Sequence, residues 1–168
     1  MILRPLNIDD KDEALQAHAE LALDDFSFLL GAFDENEPWK NYLERVSATS
    51  RGEDLSNGYV PATFLVADVE GQIVGRSSIR HELNDYLRER GGHIGYGVRP
   101  NFRKFGYATE ILRQSLIIAR GLGIESALVT CDDDNIGSSK VIEKCGGVFE
   151  NIVELEDDVM LRRYWILT

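Results

Sequence analysis

Residues 97–108 read Gly97-Val98-Arg99-Pro100-Asn101-Phe102-Arg103-Lys104-Phe105-Gly106-Tyr107-Ala108, a strand feeding a basic, glycine-containing loop that opens a helix. Free backbone N–H groups at a helix start converge on one point, and the helix dipole adds positive potential there. Gly106 lets an anion approach the backbone, and Arg103 and Lys104 add charge, so the stretch reads as a phosphate site. The same pattern also describes a capped helix start with surface arginines. It is neither a nucleotide loop of the G-x-x-x-x-G-K-[ST] type nor a dinucleotide loop, because Pro100 stands where the third glycine belongs.

Working outward, residues 93–98 form a strand, with Gly91-Gly92 before it and Pro100 after it. Residues 107–120 form the clearest helix: Ala108, Ile111, Leu112, Leu116 and Ala119 line one face and Gly121 is expected to stop it. Upstream, residues 63–69 and 73–79 flank Glu70-Gly71-Gln72 as a hairpin, residues 1–6 are a strand, and residues 9–22 a helix. A second helix starts near Pro38 and runs through Trp39, Tyr42, Leu43 and Val46. The apolar stretch 26–33, broken by Gly31, is expected to be a loop, as is the polar stretch 49–58. Downstream come a buried strand (126–131), a helix (135–144) capped by Asp134 or Asn135, and two paired strands (148–153 and 159–167). The order predicts one α/β (α+β) domain over residues 1–168, with a mixed, largely antiparallel sheet flanked by helices.

At 168 residues with 43% hydrophobic and 28% charged side chains, the chain has the composition of one globular domain. No apolar run reaches the length of a membrane span, the first residues lack a secretory signal, and Cys131 and Cys145 make no disulfide framework, which points to the cytoplasm. The net charge of -11 is unevenly spread. Residues 1–75 carry 5 basic and 15 acidic side chains, residues 76–120 carry 9 and 4, and residues 121–168 carry 4 and 10. Such a chain is a poor nucleic-acid binder, yet its basic centre suits one small polyanion. Asp132-Asp133-Asp134 is read as an acidic loop before a helix, not as a metal site, because consecutive carboxylates point different ways. Cys131 reads as a reduced structural thiol.

Arg103-x-x-Gly106-x-Ala108 resembles the Arg/Gln-x-x-Gly-x-Gly/Ala signature of the GNAT superfamily of acyl-CoA-dependent N-acetyltransferases. The segment from Asn135 to Gly147 resembles that family's Asn-x-x-Ala-x-x-Leu-Tyr-Glu-Lys-x-Gly-Phe segment, and the element order agrees over nearly the whole chain. The resemblance implies that Arg103, Lys104, Phe105, Gly106, Tyr107 and Ala108 wrap the CoA pyrophosphate. Tyr96 and Val98 would offer backbone groups to the pantetheine arm where the fourth strand splays from the fifth, and Asn135 would meet the same arm. It implies acetyl-CoA as cosubstrate, no metal, and direct attack on the thioester by a primary amine of a small molecule or a protein, with the Val98 N–H polarising the carbonyl. A monomer or homodimer is expected, without membrane or nucleic-acid partners.

The chain departs from that pattern where the family's thiolate acid, a Tyr, aligns with Ile142. Tyr164, Ser138 and Ser139 are the other hydroxyl candidates. The family's early strand-four Glu is also missing, which leaves Glu82 and His93 as candidate bases. Each has a plain alternative: a solvated loop carboxylate for Glu82, and a strand histidine hydrogen-bonded to backbone for His93. Arg162 and Tyr164 share one face of the last strand, and Arg163 and Trp165 the other. The acidic first third suits a cationic acceptor. A non-catalytic CoA-binding or sensing domain is the alternative reading.

Overall fold

The computed structural model describes residues 1–30, 33–53, 55, 58–155 and 158–168. Strands β1 (Ile2–Arg4), β2 (Ala62–Val69), β3 (Gln72–Arg80) and β4 (Ile94–Val98) pair in that order as one antiparallel sheet. Side chains alternate across it, so Phe64 and Val66 of β2 enter one core while Leu65 of the same strand enters another. The first core is closed by α1 (Lys11–Ala22) and α2 (Trp39–Ser50) through Ala14, Ala17, Leu21, Trp39 and Tyr42. The second lies under the long helix α4 (Tyr107–Gly121), through Leu112, Leu116 and Ala119. Strands β5 (Ser126–Asp132), β6 (Val148–Glu154) and β7 (Met160–Leu167) form a second antiparallel sheet in the order β5-β7-β6. Two short helices, α3 (Asp85–Glu89) before β4 and α5 (Ile136–Lys144) after β5, complete the chain.

The two sheets meet at one joint. His93 donates its N–H to the Leu128 carbonyl (2.7 Å), and its Nδ1 accepts the Leu128 N–H (2.9 Å). Gly92 makes the approach possible: at φ +59, a Cβ there would lie 2.3 Å from the Leu128 carbonyl oxygen. Beyond this joint no strand pairing connects β4 to β5, and a gap opens between them. The sequence reading anticipated one mixed sheet; the structure has two antiparallel sheets with a cleft at their seam.

Other differences are local. The expected helix over 9–22 begins as a 3-10 turn, Ile8–Asp10, because Asn7 caps Asp9 while the Asp10 carboxylate takes the Asn7 N–H. Gly121 does not stop α4; it is the last helical residue, and Gly123 (φ +85) ends the turn. Helix α2 runs to Ser50, so the polar loop expected from 49 starts later, and Gly31 and positions 54, 56 and 57 of that loop lie outside the described residues. Helix α3 was not anticipated; Asn84 caps it by accepting the Leu87 N–H. No helix among the described residues is long and apolar enough to cross a membrane.

Candidate active site

Strand β4 supplies one wall of the cleft. Arg99 donates its N–H to the Val74 carbonyl (3.0 Å), and Arg80 donates to the His93 carbonyl (2.7 Å). Alternate residues of an antiparallel strand point their N–H and C=O groups to opposite sides. Gly95 and Gly97 therefore face β3, while Tyr96 and Val98 turn their peptide groups to the open edge. The Val98 carbonyl accepts Arg103 Nε (3.1 Å), which leaves its N–H directed into the gap.

The basic loop follows at once. Pro100–Phe102 form a 3-10 turn, Lys104 adopts φ +69, and Gly106 adopts φ +88. Such alternation of left-handed residues turns successive N–H groups toward one concavity. Gly106 caps α4 without a side-chain acceptor, and among the described residues no protein group accepts from the N–H groups of Lys104 to Thr109. The loop is thus an anion nest on a positive helix end. Its base is anchored by Arg99, almost fully buried, which bonds Glu20 (2.8 Å) and Glu13 (3.1 Å) of α1 and so ties the loop to that helix. The Arg103 guanidinium turns back to Asp24 at 2.5 Å. Arg103 and Asp24 both line the cavity.

The cavity holds about 570 Å³ and is lined by Tyr96, Val98, Arg103, Lys104, Gly106, Tyr107, Ala108, Asn135 and Ser138. Of the sequence-read cofactor residues only Phe105 stands outside it, with its ring 73% exposed. The opposite wall is the start of α5, where the Asn135 side chain accepts the Ser138 N–H (3.0 Å). The Tyr96 hydroxyl crosses the gap to Ser138 Oγ at 2.9 Å. Burial pushes the Tyr96 phenol well above its ordinary range, so it holds its proton at neutral pH. Leu21, Phe26, Gly97 and Thr109 also line the cavity and were missed in the sequence. The Phe26 ring packs onto Gly97, where a Cβ would lie 2.6 Å from it.

Of the candidates for proton transfer, Glu82, His93 and Tyr164 are not brought to this cleft. Glu82 is exposed in the bend after β3, which ends at Arg80. His93 is the sheet joint: Nδ1 is occupied by Leu128, and burial, with Arg88 and Arg80 nearby, lowers its pKa to about 4. Tyr164 is buried with its hydroxyl on Ser139 Oγ (2.7 Å). Ile142, one helical turn beyond Ser138, is wholly buried among apolar side chains. Cys131 is also buried, which raises its thiol to about 11, and Asp133 is engaged by Arg162 at 2.7 Å. Among the described residues no group of His, Cys, Asp and Glu is placed to hold a metal ion.

The family model of the acetyltransferase (GNAT) domain matches residues 1–148. The chain belongs to the GNAT acetyltransferase family. Solved structures carry the same fold at low identity. The microcin C7 self-immunity acetyltransferase MccE, solved with acetyl-CoA and AMP, is 15% identical over 99% of this chain and 91% of its own, with a TM-score of 0.69. A ribosomal-protein-alanine N-acetyltransferase from Brucella melitensis is 17% identical, with full coverage of both chains and a TM-score of 0.69. A ribosomal L7/L12 α-N-protein acetyltransferase, RimL, in complex with coenzyme A, is 16% identical over 98% of this chain and 92% of its own, at 0.67. No curated protein matches the sequence. As a GNAT domain, this chain keeps the open β4 edge and the nest but has no hydroxyl at position 142.

Proposed function

We propose that this protein is an N-acetyltransferase that moves an acetyl group from acetyl-CoA to a primary amine by direct attack. The observation that carries the reading is the joining, in one cleft, of an unpaired N–H nest at Lys104 to Thr109 with the open backbone edge of Tyr96 and Val98. The nest suits the pyrophosphate, the edge suits the amides of the pantetheine arm, and Asn135 faces the same arm. The amine nitrogen bonds to the thioester carbon, the C–S bond breaks, and the Val98 N–H stabilises the oxyanion in between. The ammonium releases one proton and the CoA thiolate takes one up.

Ser138, hydrogen-bonded to Tyr96, supplies that second proton in our reading, because this hydroxyl pair is the one that borders the cavity one turn before Ile142. Neither Glu82, His93 nor Tyr164 is given a chemical step, since each is engaged or placed elsewhere. A second reading, a CoA-binding domain without turnover, is favoured by the buried Ile142 and the missing base. Thermal unfolding with acetyl-CoA, CoA and ATP tests the cofactor. Saturation at 100 times the dissociation constant adds about 2.7 kcal/mol, or roughly 5–10 °C. Both CoA species should shift the protein and ATP should not; no shift overturns both readings. Thiol release with an amine panel then separates transfer from binding alone. Ser138→Ala should lower kcat about 10–100-fold with the acetyl-CoA KM unchanged; unchanged kcat removes Ser138 from the mechanism.

A further inference from the structure

Most arginines of the chain have a carboxylate partner: Arg4 with Asp10 and Asp68, Arg99 with Glu13 and Glu20, Arg103 with Asp24, Arg162 with Asp133, Arg163 with Glu150. Arg76 and Arg80, four residues apart on one face of β3, have none among the described residues. Arg76 is only 4% exposed, in the middle of β3 and flanked there by Gly75, Ser77 and Ser78. Its Nη1 donates to the Gly95 carbonyl (3.0 Å), its Nη2 to the Ser27 carbonyl (2.8 Å), and its Nε has no hydrogen-bond partner among the described residues. The Phe26 ring lies 4.3 Å from the guanidinium. Arg80 donates to the carbonyls of Gly91 (3.0 Å) and Gly92 (3.4 Å). Burial lowers both, and the two repel each other, which brings Arg76 to about 9. Two desolvated like charges held only by neutral carbonyls are costly. Their retention points to an anion that neither side chain finds within the protein.

The geometry also says where that anion sits. Gly95 has no side chain, and a methyl group built there would lie 3.2 Å from Arg80 Nη1 and 3.7 Å from Arg76 Nη1. The two guanidinium groups thus converge on the space beside Gly95. Gly97, two residues along the same face of β4, lines the cleft beside the peptide groups of Tyr96 and Val98. Two residues of strand span about 7 Å, close to the amine-to-carboxylate reach of an extended dipeptide.

We infer that Arg76 and Arg80 seat a carboxylate of the acceptor, so that the acetylated amine belongs to an amino acid or a short peptide with a free carboxylate. This rests on the acetyl-transfer reading and narrows its substrate class. It also replaces the cationic acceptor suggested by the acidic first third, because Asp10, Glu13, Glu20 and Asp24 there are already held by arginines.

The test pairs glycine, β-alanine, γ-aminobutyrate and the common L-amino acids with their carboxamides, in thiol release and in thermal unfolding with and without CoA. The expected result is that the best carboxylates exceed their amides at least tenfold in kcat/KM and alone stabilise the protein. Arg80→Gln, at the more exposed of the two sites, should raise KM for the carboxylate at least tenfold and leave KM for acetyl-CoA and for the amide unchanged. Arg76→Gln should do the same if it folds. Equal use of acids and amides, or an Arg80→Gln effect that is the same on both, overturns the seat. If no amine turns over although acetyl-CoA binds, the unfolding arm decides: absence of carboxylate-dependent stabilisation overturns it. Absence of any acetyl-CoA shift instead overturns the transfer reading.

Discussion

Gly92 and Gly106 stand at the two ends of the segment that carries β4, and both hold left-handed backbone, at φ +59 and φ +88. Their surroundings are opposite. A Cβ at Gly92 would press on the Leu128 backbone, whereas at Gly106 nothing lies within 4 Å. The first glycine lets two sheets touch, and the second keeps a space free for something that is not protein. A positive φ by itself thus separates neither role; what the missing side chain would meet does.

Four substitutions test that contrast. Gly92→Ala should be the most damaging, because strain at positive φ adds to a backbone clash that cannot relax cheaply. A loss of about 3–4 kcal/mol, roughly 10 °C in Tm, is expected by calorimetry; a loss under about 1 kcal/mol would show that the joint is soft. Gly106→Glu should leave Tm within a few degrees and weaken CoA at least about 100-fold, near 2.7 kcal/mol, since a carboxylate enters the nest. Unchanged CoA affinity in a titration would remove the nest from the cofactor site.

The joint also titrates. The folded pKa of His93, about 4, lies below its ordinary 6.5, so the unfolded chain binds the extra proton first as pH falls. Stability from this group is complete above pH 6.5 and is lost between there and about pH 4, by about 2–3 kcal/mol. Chemical denaturation across that window should show the slope, and His93→Gln should flatten it. The smallest effect belongs to Gly106→Ala, whose cost is backbone strain alone, about 1 kcal/mol, with CoA affinity changed less than tenfold.

Much of this was legible in the sequence, and what was not has a physical reason. The nest announced itself because its chemistry is local: Arg103, Gly106 and Ala108 are neighbours in the chain. Helix α4 was equally plain from its apolar stripe. The joint was half readable: a strand histidine hydrogen-bonded to backbone was one reading of His93, but that its partner is Leu128, far away in sequence, only the fold decides. Phe26 was invisible for the same reason; its partner, Gly97, has no side chain to signal the contact. Arg76 did leave a trace, a cation between Gly75 and Ser77 in the middle of β3. The charge pattern of the first third was only half informative, because composition does not show which acids are already spoken for by Arg4, Arg99 and Arg103.

The open edge of β4 bears on a different property, colloidal behaviour. A strand with unpaired peptide groups is a template on which other chains can add strands and aggregate. Here that edge lies beneath the bridge from Tyr96 to Ser138, with α5 as its far wall. A second polypeptide strand would have to displace that bridge to pair there. The open peptide groups of Tyr96 and Val98 are thereby kept from neighbouring molecules, and Tyr96→Phe or Ser138→Ala should make the protein more prone to self-associate.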